Sequence, residues 1–117
     1  MVHRSGDKYN AQIVYFSHGG GPLPILGDPG HRAMVEFMRK LPSRLAAPEA
    51  ILVISAHWEE DAPTLLGSPR PPMLFDYYGF PDEAYEVDYP SPGNPGLADT
   101  IVQMLGEGGI QARVDSR

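Results

Sequence analysis

Two histidines follow the two most apolar runs of this chain: His18 comes just after Ile13-Val14-Tyr15-Phe16, and His57 just after Ile51-Leu52-Val53-Ile54. Neutral imidazole is the commonest metal ligand in proteins. The pair is 39 residues apart in sequence, yet neighbouring parallel strands would carry both rings to one sheet edge. In open α/β sheets, ligands bind outside the carboxyl ends of the strands, at that edge. One reading is a metal site built on His18 and His57; the other is two hydrogen-bonded histidines closing two strands. His3 and His31 have no such placement and read as surface residues.

Other chemistry is written into the same loops. "HGGG", from His18 to Gly21, resembles the segment that supplies backbone N–H groups to an oxyanion hole in lipases and esterases. That chemistry also needs a serine on a G-x-S-x-G elbow, and "LGSPR" and "YPSPG" both fail the pattern. The glycines match neither a dinucleotide fingerprint nor a P-loop, and a tight turn admitting close backbone approach accounts for them equally well. "HWE" lacks the cysteines a zinc deaminase would need.

Trp58, Tyr77, Tyr78, Phe80, Tyr85 and Tyr89 either pin a Pro/Gly-rich loop to the body or wall a planar ligand. Asp76 and Asp82 could orient groups there or cap turns. Glu59 and Glu60 could give a metal carboxylate or lie in solvent.

The elements that must position these residues are legible in outline. Ile13 to Phe16 and Ile51 to Ser55 read as buried strands. Between them Met34, Phe37, Met38 and Leu41 recur at helical spacing from about Gly30, until Pro42 ends or resets the helix. Strand, helix and strand in that order suggest a βαβ unit. Thr64 to Leu66 is a short strand candidate, and Asp82 to Tyr85 a helical turn. Asn94 as N-cap and Pro95 at the first helical position open a helix with Leu97, Ile101, Met104 and Leu105 on one face. Gly106, Gly108 and Gly109 end it, and Ile110 to Val114 reads as a strand. The expected class is α/β, with a mostly parallel or mixed central sheet flanked by helices in a single domain.

A net charge of −6 with scattered basic residues argues against a nucleic-acid surface. No apolar run reaches the length of a membrane span. The absence of cysteine removes disulfides, thiolate metal sites and thiol nucleophiles. The polar start, without the apolar core of a signal peptide, leads to the expectation of a cytoplasmic protein.

Taken together, "FSHGGGPLP", "LVISAHW" and "FDYYGFPDEAYEVDYPSPGNPGLA" resemble the class III extradiol ring-cleavage dioxygenases, in particular their DOPA 4,5-dioxygenase-like branch. The resemblance runs from about Ile13 to the end. It implies a non-haem metal, Fe(II) or Zn(II), held by His18 and His57, and catechol and O₂ as small-molecule partners. Such a metal must keep positions open for its substrates. Ser17, Gly19, Trp58, Asp76 and Tyr78 would then lie near the substrate or support the metal.

The chain departs from the family in one respect. A D-H-G motif carrying an acid/base histidine, and a third metal ligand beyond it, normally follow where this chain stops. Neither is present, and no histidine follows His57. The expectation is therefore that residues 1–117 are the N-terminal part of one catalytic domain, with no catalytic residue of their own and with exposed surface favouring self-association. The rival readings are a non-catalytic fragment or pseudoenzyme with an incomplete metal site, and an esterase-like hydrolase using "HGGG".

Overall fold

A computed structural model describes residues 11–117; His3 lies outside them. The chain divides into two compact units, Met1–Glu49 and Ala50–Arg117.

In the first unit a 3₁₀ turn, Pro29–His31, leads into helix α1, Arg32–Lys40, and a second 3₁₀ turn, Leu41–Arg44, follows. Pro29 opens the first of these turns and Pro42 is the second residue of the other, positions where the missing N–H would lack an intrahelical partner anyway. Arg39 and Lys40 occupy the last turn of α1, where positive charge complements the carbonyl end of the helix dipole. The helix appears where the spacing of Met34, Phe37, Met38 and Leu41 places it, although Phe37 and Met38 stay largely exposed. The Gln12 side chain closes the unit. Its Nε2 donates to the Ala46 carbonyl at 2.9 Å, and its Oε1 accepts from the Ala46 N–H at 2.8 Å.

The second unit holds the sheet. Strand β1, Thr64–Leu66, pairs in parallel with strand β2, Arg113–Asp115, in the register Thr64↔Arg113, Leu65↔Val114 and Leu66↔Asp115. Parallel strands need a crossover rather than a tight hairpin. The crossover carries helix α2, Pro95–Glu107, which packs on both strands. The Asn94 side chain accepts from the Leu97 N–H at 3.0 Å, satisfying one of the orphan donors of the first turn.

At the other end of α2, Gly109 adopts φ 80°. The Ile110 N–H reaches the Leu105 carbonyl at 2.8 Å, and the Gly109 N–H reaches Gly106 at 3.0 Å. That pair of bonds is a Schellman cap, which needs a left-handed residue and so favours glycine. Ala98 on α2 and Ala84 in the 3₁₀ turn Asp82–Tyr85 are the buried apolar residues of this unit. The fold is α/β, as the sequence predicts.

Two expectations are corrected. Neither Ile13–Phe16 nor 51–55 forms a strand, and so the βαβ unit expected between them is not made. Ile13 is 95% exposed and Ile54 91% exposed, the opposite of burial on both faces. An apolar run records a preference for leaving water, but a strand exists only where a neighbour completes its hydrogen-bond ladder. Among the described residues neither segment has such a neighbour. The parallel pair with its helical crossover arises instead from the two short strands β1 and β2. Among the described residues no helix is long and apolar enough to cross a membrane.

Candidate functional site

In the second unit His57 bonds to Ser55 and to Asp76. Its backbone N–H donates to Ser55 Oγ at 3.1 Å, and its ring Nδ1 lies 2.6 Å from Asp76 Oδ2. A carboxylate is an acceptor, so Nδ1 carries the proton. Asp76 comes from the long loop between β1 and α2, 19 residues further along the chain. The residues after His57 are anchored too. Trp58 Nε1 donates to Glu60 Oε1 at 3.0 Å, and Arg113 on β2 bonds Glu60 at 3.1 Å and Asp61 at 2.6 Å. Glu60 is thus a structural acceptor in an ion pair with β2, not a solvated acid.

In the first unit the His18 ring donates from Nδ1 to the carbonyl of Gly19 at 3.0 Å. A carbonyl can only accept, so His18 has the same tautomer as His57. The next peptide N–H, that of Gly20, donates to His31 Nε2 at 3.0 Å, and His31 Nδ1 donates to Asp28 Oδ2 at 2.6 Å. His31 is therefore no idle surface residue. Its ring lies against the glycine loop so closely that a Cβ on Gly19 would meet His31 Cδ2 at 2.8 Å and Pro24 Cγ at 2.9 Å.

These bonds bear on the oxyanion-hole reading. The Gly20 N–H is engaged by His31, and the Gly21 N–H by the Gly19 carbonyl at 3.1 Å. Two donors of the glycine run are thus given to protein acceptors and not to a ligand oxygen.

The aromatic residues divide. Phe75, Tyr77, Phe80 and Tyr85 form a cluster of edge-to-face and tilted pairs with centroids 5.4–6.0 Å apart. The Tyr77 hydroxyl donates to the Ala84 carbonyl. Burial pushes the Tyr77 phenol above its ordinary value, and Tyr85 and the Asp76 carboxylate add to the shift. This cluster pins the loop, as such rings do when their polar tips find partners. Tyr78 lies outside it and is 90% exposed, and Tyr89 is also exposed. Ser17 is exposed, and Gly19 and Trp58 are half-buried. Asp82 opens the 3₁₀ turn Asp82–Tyr85.

His18 and His57 belong to different units, each with its own neighbours. Neither follows a strand, because the two apolar runs form none. Among the described residues no three His, Cys, Asp or Glu side chains gather into a set that could hold a metal ion. Asp28 and His31 are the functional candidates that the sequence reading missed. Their signal was the Asp-Pro-Gly-His spacing, which puts a carboxylate three residues before an imidazole.

Comparison with known proteins adds an independent finding. Residues 14–117 match the family model described as the catalytic LigB subunit of aromatic ring-opening dioxygenase. The chain is 46% identical over 95 residues to the dioxygenase tasH of Hapsidospora irregularis, covering 75% of this chain and 29% of that protein. It is 33% identical over 109 residues to a 4,5-DOPA dioxygenase extradiol of Beta vulgaris, covering 92% of this chain and 40% of the relative. Against the 4,5-DOPA dioxygenase extradiol of Escherichia coli K12 it is 35% identical over 92 residues, covering 79% and 32%. The chain thus spans well under half the length of these curated relatives.

Proposed function

The chain belongs to the family of the catalytic LigB subunit of aromatic ring-opening dioxygenases, and from that premise we propose that it supplies two histidine ligands, His18 and His57, to a non-haem metal site for extradiol cleavage of a catechol by O₂. The observation that carries the reading is the shared tautomer. Each ring gives its Nδ1 proton to an oxygen, Gly19 in one case and Asp76 in the other. A metal-ligating histidine almost always donates its other ring N–H to a carboxylate, carbonyl or water, which fixes the ring and raises its basicity. The donor type fits Fe(II) or Zn(II): two imidazoles, each with its Nδ1 proton given to an oxygen. His31 does not qualify, because its Nε2 already accepts from Gly20.

Such a metal, when bound, supplies Lewis acidity and open positions for the two substrates. The chain's own residues hold and orient. Asp76 keeps the His57 proton on Nδ1 and stops the ring from turning. The Gly19 carbonyl does the same for His18. In this reading Trp58, fastened to Glu60, the exposed Tyr78, and Ser17 and Gly19 next to His18 in sequence are assigned to the substrate surroundings. A catalytic metal site commonly has three protein ligands, so the two histidines are a partial set and hold a metal weakly. Ring opening by residues 1–117 alone is correspondingly slow.

The test is metal binding followed by turnover. Zinc titrated into this chain should bind, and His18→Ala and His57→Ala should each abolish binding. Loaded anaerobically with ferrous iron and then given a catechol and O₂, the chain should form ring-opened product at least ~10²-fold more slowly than the Beta vulgaris relative, the lower bound of what one acid/base group contributes. Zinc binding that survives both substitutions would overturn the ligand assignment. Turnover matching the relative would overturn the partial-set argument.

A further inference from the structure

Four hydrogen-bonding groups of the first unit lie in one line. His18 Nδ1–H donates to the Gly19 carbonyl at 3.0 Å, and the N–H of that same peptide group, on Gly20, donates to His31 Nε2 at 3.0 Å. His31 Nδ1–H donates in turn to Asp28 at 2.6 Å. Every proton in the series points toward the Asp28 carboxylate. The direction is forced by chemistry: an amide N–H can only donate, so His31 Nε2 must accept, its proton must sit on Nδ1, and Asp28 receives it.

We propose that Asp28 and His31 are positioning residues for His18, relaying the Asp28 charge through one peptide group to the His18 ring. Hydrogen bonds arranged head to tail polarise one another. Negative charge at one end makes the Gly19 carbonyl a stronger acceptor and so favours the His18 tautomer with the lone pair on Nε2. His57 obtains the same support from Asp76 in one direct bond; His18 obtains it from Asp28 through two intermediaries. The packing agrees with this role. The His31 ring lies over Gly19 at a distance that excludes any side chain there, and Pro24 flanks the other side. His31 is 22% exposed and Asp28 33% exposed, so the Asp28 end of the relay is partly shielded from water, while the bonds at Gly19 and Gly20 are exposed. The proposal rests on the metal reading of His18 only for its purpose; the relay itself is a property of the loop.

The test separates the two. The chain labelled with ¹⁵N reports the His18 tautomer from its ring nitrogen shifts and the Gly20 amide from hydrogen exchange, with no metal present. His31→Ala should speed Gly20 exchange by roughly 2- to 10-fold, the worth of one intramolecular hydrogen bond, and should lower the fraction of His18 with its proton on Nδ1. His31→Gln should restore both, because its carbonyl can accept from Gly20 while its NH₂ donates to Asp28. Asp28→Ala should shift the His18 tautomer in the same direction as His31→Ala without touching His18 or Gly19. Amide exchange within α1 serves as the folding control, and His31→Gln carries the test if His31→Ala unfolds. Zinc titration then gives the functional arm: affinity should fall about 10- to 100-fold in His31→Ala and Asp28→Ala and recover in His31→Gln.

An unchanged His18 tautomer in Asp28→Ala and His31→Ala, with α1 intact, overturns the relay. A responding tautomer in a chain that binds no zinc upholds the relay and removes the metal reading instead.

Discussion

Removing the Asp76 carboxylate is the sharpest single perturbation of the second unit. Asp76 Oδ2 sits 2.6 Å from His57 Nδ1, with the two side chains 38% and 54% exposed. A hydrogen bond to a charged group is worth about 1.5–3 kcal/mol when sheltered. Exposure to this degree brings solvent screening, which lowers the figure toward ~1 kcal/mol. That corresponds to roughly 5-fold in the ratio of the two His57 tautomers. Asp76→Ala is cleaner than Asp76→Asn, because an asparagine can turn its NH₂ toward Nδ1 and invert the tautomer by force. The expected result in Asp76→Ala is a His57 ring that samples both tautomers, seen in its ¹⁵N shifts. Zinc affinity should fall by about 10-fold, the lower end of the range for such supporting partners. The backbone bond from His57 to Ser55 should persist, so the segment should not come loose. If Asp76→Ala keeps His57 protonated on Nδ1 and binds zinc as tightly as the parent chain, the bracing argument is wrong and Asp76 serves the loop only.

Three further expectations follow from the same geometry. Asn94→Ala removes the acceptor of the Leu97 N–H and should cost about 1 kcal/mol, read as a lower urea midpoint with faster amide exchange in the first turn of α2; an unchanged midpoint would show that α2 does not need its cap. A fluorophosphonate probe should label no serine, since the Gly20 and Gly21 donors are engaged within the protein and no nucleophile elbow exists; stoichiometric labelling of Ser68 or Ser91 would revive the hydrolase reading. Hydrogen bonds from Arg117 hold the Asp115 carboxyl below its ordinary value of 3.8. A carboxyl lowered in the folded chain stabilises it above the ordinary value, and that contribution is lost as pH falls through the lowered one. Amide exchange in β2 should therefore accelerate as pH drops below about 3.8, beyond the intrinsic trend, and less so in high salt. Asp115→Asn should erase the effect.

Much of the second unit was legible in its residues because the signals there are local. Asn94, Pro95 and Gly109 set the ends of α2 through bonds that span only a few residues, and those bonds form whatever the rest of the chain does. Thr64 to Leu66 lies where a strand is expected, and β2 falls within a residue of the expected Ile110 to Val114 end. The family was legible as well, since three motifs in order are a property of the sequence itself. Strand formation at Ile13–Phe16 and 51–55 was not decided by sequence. Apolar character says that a segment tends to leave water, whereas a strand requires a second segment at hydrogen-bonding distance, and only the three-dimensional arrangement says whether one is there. The same limit applies to the histidines. Sequence singled out His18 and His57 as the residues able to bind a metal, but the position of each ring proton depends on which acceptor folds up against Nδ1. Asp76 reaches His57 from 19 residues away, and Asp28 is linked to His18 through His31 and a peptide group. Tautomers are fixed by neighbours in space, and so they belong to the tertiary structure.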